Sequence, residues 1–310
     1  MNRRIKDAIA NFPLRLWVQI GRLLPYPLRV NLGGWFMRRL AVHFTDYDDR
    51  ILSHLEWVYP ELGTPRRQAI LHGCLDNCGR MFAEYFSAPE FVRHACQSIL
   101  EGPGIEDLRQ AHLEGQSAIF ATGHFGSFEA GRAALINQVR VWQRSGCKSR
   151  STQRNALIEK GWILGGLYRP ASNFSYEKHH LASFSYIGEP AFKKSRHGLR
   201  ALVTYLRASG WVMFLHDQHD PNGIPLPFMG RDAMTSVTAA RIAIRNRSLL
   251  FPYYGIRQPN GLDFRIIVEK PIRPDSGSEE DMTRVLTRSL EAMVNRYPEQ
   301  WFWVHRRWRI

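Results

Sequence analysis

The stretch Thr122–Ala130, TGHFGSFEA, decides the fold of this chain. An apolar run at residues 117–121 precedes it and predicts a buried strand, and a run rich in Ala and Leu at residues 130–140 follows it and predicts a helix. Gly123 and Gly126 permit a tight turn between the two, because glycine adopts backbone angles that other residues avoid. Together with the later strands, this unit predicts an α/β fold, in which helices flank a mostly parallel central sheet.

Two side chains of this turn can perform acid–base chemistry, His124 and Glu129. A neutral imidazole can take a proton from a hydroxyl group near neutral pH. A carboxylate on the other ring nitrogen fixes the tautomer and stabilises the imidazolium that forms. Four residues separate His124 from Glu129, and across a strand-to-helix corner this spacing can bring the carboxylate back to the imidazole. The alternative is a polar turn without a catalytic role.

The charge of the chain points to an acidic partner. It has 310 residues, of which 44% are hydrophobic and 23% charged, and a formal net charge of +14. This is the composition of a globular protein. Its charge suits nucleic acid, an anionic membrane, a phosphorylated lipid or an acidic carrier protein.

The N-terminal part of the chain is both basic and apolar. Residues 1–44 hold eight Lys or Arg against Asp7 alone, a balance of +7, and no long uncharged run could span a bilayer. Arg4, Arg15 and Arg22 fall on one side of a predicted helix. We therefore expect residues 1–45 to be an amphipathic membrane-associating segment. The alternative is a helix pair that packs on the core.

Residues 46–310 are then expected to form the catalytic domain. The four cysteines contain no CxxC pair and indicate a reduced, cytoplasmic-side protein. The cluster at residues 216–220, HDQHD, matches no standard zinc or calcium spacing, so we expect no metal and no cofactor.

The remaining elements follow from periodicity and from helix-capping residues. Thr64 is the predicted cap of the first clear helix. The segment 150–180 is basic, aromatic and polar and is assigned no helix or strand, and residues 225–231 are predicted to form an apolar loop. Helices are predicted at 28–43, 64–86, 89–100, 105–114, 195–209, 236–245 and 281–296, and further strands at 211–215, 249–256 and 264–269.

Three further groups of residues suit a site. Arg169 precedes a proline, which sets it on an extended or turn segment, where it can donate paired hydrogen bonds to an oxyanion or a phosphate. Asp217 follows a predicted strand, and open α/β sheets place their sites at the carboxyl ends of strands. The C-terminal stretch at residues 301–309, WFWVHRRWR, suits either a membrane interface or stacking on single-stranded nucleic acid.

Five blocks, in this order, resemble the late acyltransferases of lipid A biosynthesis, within the wider lysophospholipid acyltransferase superfamily. They are residues 123–129 (GHFGSFE), the Tyr168-Arg169-Pro170 block that ends at Asn173, Asp217-Gln218, residues 227–230 (PFMG) and residues 303–308 (WVHRRW). Such enzymes transfer an acyl chain from an acyl-carrier-protein thioester to a hydroxyl of a glycolipid at the inner membrane. The turn departs from many relatives, which carry Gly-Asn-Trp where this chain has Gly126-Ser127-Phe128.

The resemblance implies roles for individual residues. His124 resembles the general base, Glu129 its orienting partner and Arg169 the group that stabilises the oxyanion or holds substrate. Asp217 resembles the acidic residue beside the cleft. The expected substrate-binding residues are Gly126, Ser127, Tyr168, Asn173, Asp217, Phe228, Arg306 and Arg307.

The resemblance also implies the partners: an acyl carrier protein as donor, a glycolipid acceptor and the anionic cytoplasmic face of the inner membrane. A lysophospholipid or phosphoinositol glycolipid acceptor stays open, because the turn motif does not separate these acceptors. A basic protein that binds nucleic acid or a membrane without catalysis is the remaining alternative, although no recognised nucleic-acid motif is present.

Overall fold

A computed structural model describes residues 19, 21, 23–170 and 174–309 of the chain. Its strands are β1 Ile99–Glu101, β2 Ala118–Thr122, β3 Trp162–Tyr168, β4 Glu189–Lys193, β5 Trp211–Leu215, β6 Ile224–Phe228, β7 Arg231–Thr235, β8 Leu249–Arg257 and β9 Phe264–Val268. Its α-helices are α1 Tyr26–Arg39, α2 Tyr47–Val58, α3 Thr64–Tyr85, α4 Ala88–Ala95, α5 Ile105–Glu114, α6 Phe128–Arg144, α7 Thr152–Glu159, α8 Phe174–Ile187, α9 Arg196–Arg207, α10 Thr238–Asn246 and α11 Glu279–Arg296. Short 3₁₀ turns lie at Ala41–Phe44 and Pro298–Gln300.

In the described part of the chain, seven strands form the central sheet in the order β1-β9-β8-β2-β5-β3-β4. Neighbouring strands run parallel except β8 and β9, which are antiparallel. The predicted α/β class with a mostly parallel sheet is thereby confirmed. A separate antiparallel hairpin of β6 and β7 lies outside this sheet.

The two faces of the sheet are covered by different helices. Phe120 of β2 belongs to an apolar cluster with α4, α5 and α6, whereas its neighbour Ile119 belongs to a cluster with α9, α10 and α11. Successive strand residues point to opposite faces, and β2 is buried along its whole length. A continuous apolar run is the pattern of a strand covered on both faces.

The N-terminal helix α1 packs closely on α3. Gly33 faces Gly79 there, and a Cβ atom on Gly33 would lie 2.6 Å from the carbonyl oxygen of Gly79. Among the described helices, none combines the length and the apolar composition needed to cross a bilayer. Much of the predicted amphipathic helix, including Arg4, Arg15 and Arg22, lies outside the described residues.

Several predicted elements are corrected by the structure. The helix predicted at 89–100 ends at Ala95, and its last residues belong to β1, which pairs with β9. The predicted loop at 225–231 forms most of the β6–β7 hairpin, and the segment 150–180 holds α7, β3 and the first part of α8. Thr64 is the first helical residue of α3, and Gly63 takes the cap position instead. Local periodicity missed β1 because this three-residue strand is defined by its pairing with β9, which is remote in sequence. The hairpin joins adjacent segments, but Pro225 and Pro227 interrupt the strand pattern of β6.

Candidate active site

His124 and Asp217 meet at the carboxyl edge of the sheet. Nδ1 of His124 lies 2.8 Å from Oδ1 of Asp217. The strands β2 and β5 are parallel neighbours, and Thr122 pairs with Leu215 at their ends. His124 lies two positions after the end of β2, and Asp217 lies two positions after the end of β5. The register of the sheet therefore brings them together.

Asp217 is held from three directions. Its Oδ2 atom accepts hydrogen bonds from the backbone N–H of His124 at 2.7 Å and from Nε1 of Trp301 at 2.9 Å. The residue is only 2% exposed. Burial alone would raise the pKa of its carboxyl group, but His124, its hydrogen bonds and His305 hold that pKa well below its usual range. An ionised carboxylate can only accept a hydrogen bond, so Nδ1 of His124 carries the N–H and the other ring nitrogen carries the lone pair.

Glu129 does not occupy the position beside the imidazole that the sequence spacing predicted. Its Oε2 accepts a hydrogen bond from Nη1 of Arg132, at 3.3 Å. The two residues lie three apart on α6 and so share a face of the helix. Arg132 is fully buried and also donates to the backbone oxygens of Leu164 and Gly188. The carboxylate that contacts Nδ1 of His124 is therefore that of Asp217. Glu129 instead binds Arg132, and Arg132 connects α6 to the backbone at Leu164 and Gly188.

Burial raises the pKa of Glu129, and the adjacent Arg132 partly opposes that shift. Glu129 nevertheless lines the same pocket as His124. Its predicted catalytic role stays a prediction.

The imidazole of His124 lines a pocket of about 470 Å³, which we call the aromatic pocket. Its size lies within the range of about 300–1,000 Å³ that is usual for small-molecule sites. Besides His124 and Glu129, its polar lining includes Tyr168, Arg169, Lys194 and Gln218. The apolar lining comes from α3, α6, β3, α8 and β5 and includes Met81, Phe82, Phe128, Leu167, Phe184 and Met213. Such a pocket suits a long apolar chain with a polar group at its mouth.

A second pocket of about 480 Å³ adjoins the aromatic pocket, and we call it the basic pocket. It is lined by Gln218, His219, His305, Arg306 and Arg309. Gln218 lines both pockets, and its Nε2 lies 3.5 Å from Nε2 of His124 and 2.8 Å from Nε2 of His305. Burial, with a contribution from His124, lowers the pKa of His305 to about 4. His305 is therefore neutral at physiological pH, and its Nε2 can accept the amide N–H of Gln218.

The structure places the other predicted site residues in different surroundings. Tyr168 and Arg169 line the aromatic pocket, and Arg306 lines the basic pocket. Asn173 lies outside the described residues. Gly126 and Ser127 form the buried corner that leads into α6.

Phe228 and Arg307 serve the interior of the protein. Phe228 is 1% exposed and stacks on Trp308, with ring centroids 5.7 Å apart. Arg307 is also 1% exposed and donates from Nη1 to the carbonyl oxygens of Gln218 and Met234. Burial lowers its pKa to about 10. These contacts join the hairpin to the C-terminal segment, and substrate binding by the two residues stays a prediction.

Four residues of the site were not singled out from the sequence: Trp301, His305, Gln218 and Lys194. Gln218 and His305 lie within two of the sequence blocks quoted above, next to Asp217 and Arg306. Those blocks were therefore the signal that could have identified them. Trp301 begins the C-terminal stretch noted above, but its contact with the carboxylate had no local signal. Neither did the place of Lys194 in the pocket, because only the tertiary fold creates both.

Comparisons with known proteins identify the family of the chain. The family model described as bacterial lipid A biosynthesis acyltransferase matches residues 6–310. The chain is 22% identical to the lipid A biosynthesis lauroyltransferase of Escherichia coli K12 over 303 residues, which cover 94% of this chain and 90% of that protein. It is 19% identical to the lipid A biosynthesis palmitoleoyltransferase of the same strain, over 96% of this chain and 88% of that protein.

A solved structure, that of the 1-acyl-sn-glycerophosphate acyltransferase of Thermotoga maritima, is more distant. It is 11% identical, and the match covers 88% of this chain and 97% of that one. The TM-score of 0.37 is too low to bear on the reaction.

Proposed function

Since the chain belongs to the bacterial lipid A biosynthesis acyltransferases, we propose that it transfers a fatty acyl chain from an acyl-carrier-protein thioester to a hydroxyl of a lipid A precursor. The observation that carries the proposal is the His124–Asp217 pair at the mouth of the aromatic pocket. The pair supplies a base with a fixed tautomer, and the pocket supplies a place for the acyl chain.

The reaction needs no nucleophile from the protein. The acceptor hydroxyl attacks the thioester carbonyl carbon while Nε2 of His124 removes its proton, and Asp217 stabilises the imidazolium that forms. The C–S bond then breaks, the carrier thiol leaves with the proton from His124, and an ester remains on the acceptor. General-base action of this kind is typically worth about 10²–10⁴ in rate.

Arg169 is the proposed donor to the developing oxyanion. It lines the aromatic pocket together with Lys194, and its guanidinium is exposed at the mouth. One such donor is typically worth about 10²–10³ in rate. The same two cations suit the acidic surface of a carrier protein that delivers the thioester.

The N-terminal region is the proposed contact with the cytoplasmic face of the inner membrane. Trp35 is 47% and Leu28 45% exposed on α1, and Phe44 just after it is 89% exposed. Arg38 and Arg39 lie in the last turn of the helix. Apolar side chains flanked by arginines suit an anionic bilayer surface. In this proposal, residues 1–45 attach the catalytic domain, residues 46–310, to the membrane. Vesicle sedimentation tests it: the double change W35S/F44S should reduce binding to anionic vesicles, whereas unchanged binding would contradict the assignment.

The test of the proposed reaction uses purified protein in detergent, a lauroyl- or myristoyl-loaded acyl carrier protein and a lipid A precursor that lacks secondary acyl chains. Mass spectrometry should detect one added acyl chain. The variant His124→Ala should abolish the product while His72→Ala, an exposed position on α3, retains it. Undiminished transfer by folded His124→Ala would refute the mechanism, and absence of transfer by the wild-type protein with every acyl donor would refute the proposed reaction.

A further inference from the structure

The basic pocket has no role in the proton transfer described above, yet it lies directly beside the base. The ring centroids of His124 and His305 are 4.7 Å apart. Gln218 lines both pockets, and its amide lies between the two imidazoles. A group bound in the basic pocket would therefore lie within a few side-chain diameters of Nε2 of His124.

The basic pocket is surrounded by positive charge. Arg306 and Arg309 are both exposed and line it from the C-terminal segment. The carboxylate nearest to Arg306 is that of Asp46, 3.9 Å away, which also pairs with Arg50. An exposed contact of this length is worth little, so the guanidinium of Arg306 stays available to another anion.

The positive surface continues beyond the pocket. His219 and Arg309 also line a neighbouring depression that contains Arg231. The guanidinium of Arg231 lies 4.4 Å from the ring centroid of Trp57. Asp232 is the acidic side chain that lines this depression. Four arginines, Arg231, Arg306, Arg307 and Arg309, thus line the pocket and the depression, and Asp232 is the carboxylate in their lining.

We propose that the basic pocket binds a phosphate monoester of the acceptor lipid and thereby sets the acceptor hydroxyl against His124. This inference rests on the proposed function. In that reaction the donor acyl chain fills the aromatic pocket, so the acceptor must approach His124 from the side that the chain leaves open. The basic pocket adjoins the aromatic pocket at Gln218, where the two substrates have to meet.

Arginine is well suited to this ligand. Its planar guanidinium donates two parallel hydrogen bonds to a phosphate, and hydrogen bonds between charged groups are about twice as strong as neutral ones. Arg306 and Arg309 are exposed, whereas their neighbours Arg307 and Trp308 are buried, so replacing the two exposed arginines with Gln removes charge without opening the core. Loss of both should raise KM for a phosphorylated acceptor by at least tenfold and change kcat little.

The experiment compares two double variants of equal net charge. R306Q/R309Q removes the two guanidinium groups of the pocket. R245Q/R288Q removes two exposed arginines that lie on α10 and α11, outside both pockets. KM is measured separately for the acyl donor and for two acceptors, a phosphorylated lipid A precursor and the same lipid after phosphatase treatment.

The proposal expects only R306Q/R309Q to raise KM for the phosphorylated acceptor, with KM for the donor unchanged. It also expects the dephosphorylated lipid to bind weakly to the wild-type protein and to be insensitive to the substitutions. If KM for the donor rises instead, the pocket binds the phosphodiester of the carrier's prosthetic group, and the proposal is wrong. Equal effects of the two double variants would show general charge attraction and would also overturn it.

A binding measurement separates this inference from the proposed reaction. His124→Ala keeps both arginines but lacks the base, so its affinity for the phosphorylated precursor in detergent micelles can be measured by calorimetry without turnover. Adding R306Q/R309Q to that variant should weaken binding at least tenfold. Unchanged affinity would refute the phosphate site even if acyl transfer is observed. A tenfold loss would support the site even if no donor is accepted.

Discussion

The carboxylate of Asp217 lies 2.8 Å from Nδ1 of His124, although 93 positions separate the two residues in the chain. Two parallel neighbouring strands end at the same level, and each residue stands two positions past its strand. The same carboxylate accepts the backbone N–H of His124 and Nε1 of Trp301. His124 is therefore held by its backbone and by its ring, and its Nε2 lies 3.5 Å from Nε2 of Gln218.

Asp217→Asn should reduce kcat by about 10²–10⁴. The position of Oδ2 is fixed by two N–H donors, so the carbonyl oxygen of Asn would stay there and its NH₂ group would face Nδ1 of His124. The imidazole would then adopt the tautomer with the proton on Nε2, which cannot accept a proton from a hydroxyl. Acyl transfer is measured below the melting temperature of the variant.

The matched control is Asp49→Asn, which removes one exposed carboxylate from α2. Its transfer rate should equal that of the wild-type protein. Near-normal turnover by Asp217→Asn would show that the orientation of His124 does not depend on this carboxylate.

Much of the fold follows from local sequence patterns. The apolar runs at β2, β5 and β8 and the patterns at 195–209 and 281–296 predicted these strands and the helices α9 and α11 within a few residues of their observed ends. The strands β1, β3 and β4 and the two strands of the β6–β7 hairpin were missed. β1 has three residues, and β3 contains two consecutive glycines, so neither has the alternating pattern of a half-exposed strand.

The partner of the base was harder to predict from sequence than the base itself. His124 stands out because it follows a buried strand in a glycine-bounded turn. Glu129 is near it in sequence, whereas Asp217 is near it only because β5 lies next to β2 in the sheet. Strand order depends on how the crossover helices pack, which no local pattern specifies. Asp217 was expected beside the cleft, but its contact with Nδ1 of His124 could be predicted only with knowledge of the strand order.

Glu129→Gln should affect stability more than proton transfer. The change leaves buried Arg132 without its anionic partner, which should lower the free energy of unfolding by about 1–3 kcal/mol. Because Asp217 still orients His124, Glu129→Gln should keep at least tenfold more activity than Asp217→Asn. Urea unfolding and acyl transfer are measured on the same preparations.

An opposite pattern would restore the role that the sequence spacing predicted for Glu129. If Glu129→Gln loses as much activity as Asp217→Asn at unchanged stability, Glu129 takes a direct part in the reaction. Glu56→Gln, at an exposed position on α2, is the control for the substitution itself.

Gly126→Ala should disrupt both stability and the position of His124. Gly126 has φ +55°, and a Cβ atom there would overlap the carbonyl oxygen of Gly255. Its backbone is fixed on both sides, since its N–H donates to Gln300 at 2.7 Å and its carbonyl accepts from Asn77 at 2.9 Å. The turn can therefore relieve the overlap only by moving, which would displace the adjacent imidazole.

Gly146→Ala separates this overlap from backbone strain. Gly146 has φ +82°, but a Cβ atom there would meet nothing within 4 Å. The variant Gly146→Ala should lose only about 1–2 kcal/mol of unfolding free energy, the strain of the left-handed region. Its acyl transfer should be unchanged. Gly126→Ala should cost clearly more and reduce transfer. Equal unfolding free energies and equal activities in the two variants would mean that the close approach to Gly255 has no consequence.

His216, which precedes Asp217, should make the protein less stable in mild acid. It is 5% exposed, and burial lowers its pKa from 6.5 to about 4. Above pH 6.5 the imidazole is neutral in both the folded and the unfolded chain and contributes no pH dependence. Between pH 6.5 and pH 4 only the unfolded chain takes up the proton, so the free energy of unfolding falls as the pH falls, by about 2 kcal/mol at pH 5.

His216→Gln removes this proton uptake. Urea unfolding at pH 7 and at pH 5 should therefore show a loss of stability about 2 kcal/mol smaller in His216→Gln than in the wild-type protein. The control is His72→Gln, which removes an exposed imidazole from α3 and should keep the wild-type difference. The comparison uses the difference between the two pH values within each variant, so any packing cost of glutamine at position 216 cancels. An unchanged difference in His216→Gln would mean that the buried imidazole is protonated in the folded state at pH 5 as readily as in the unfolded chain.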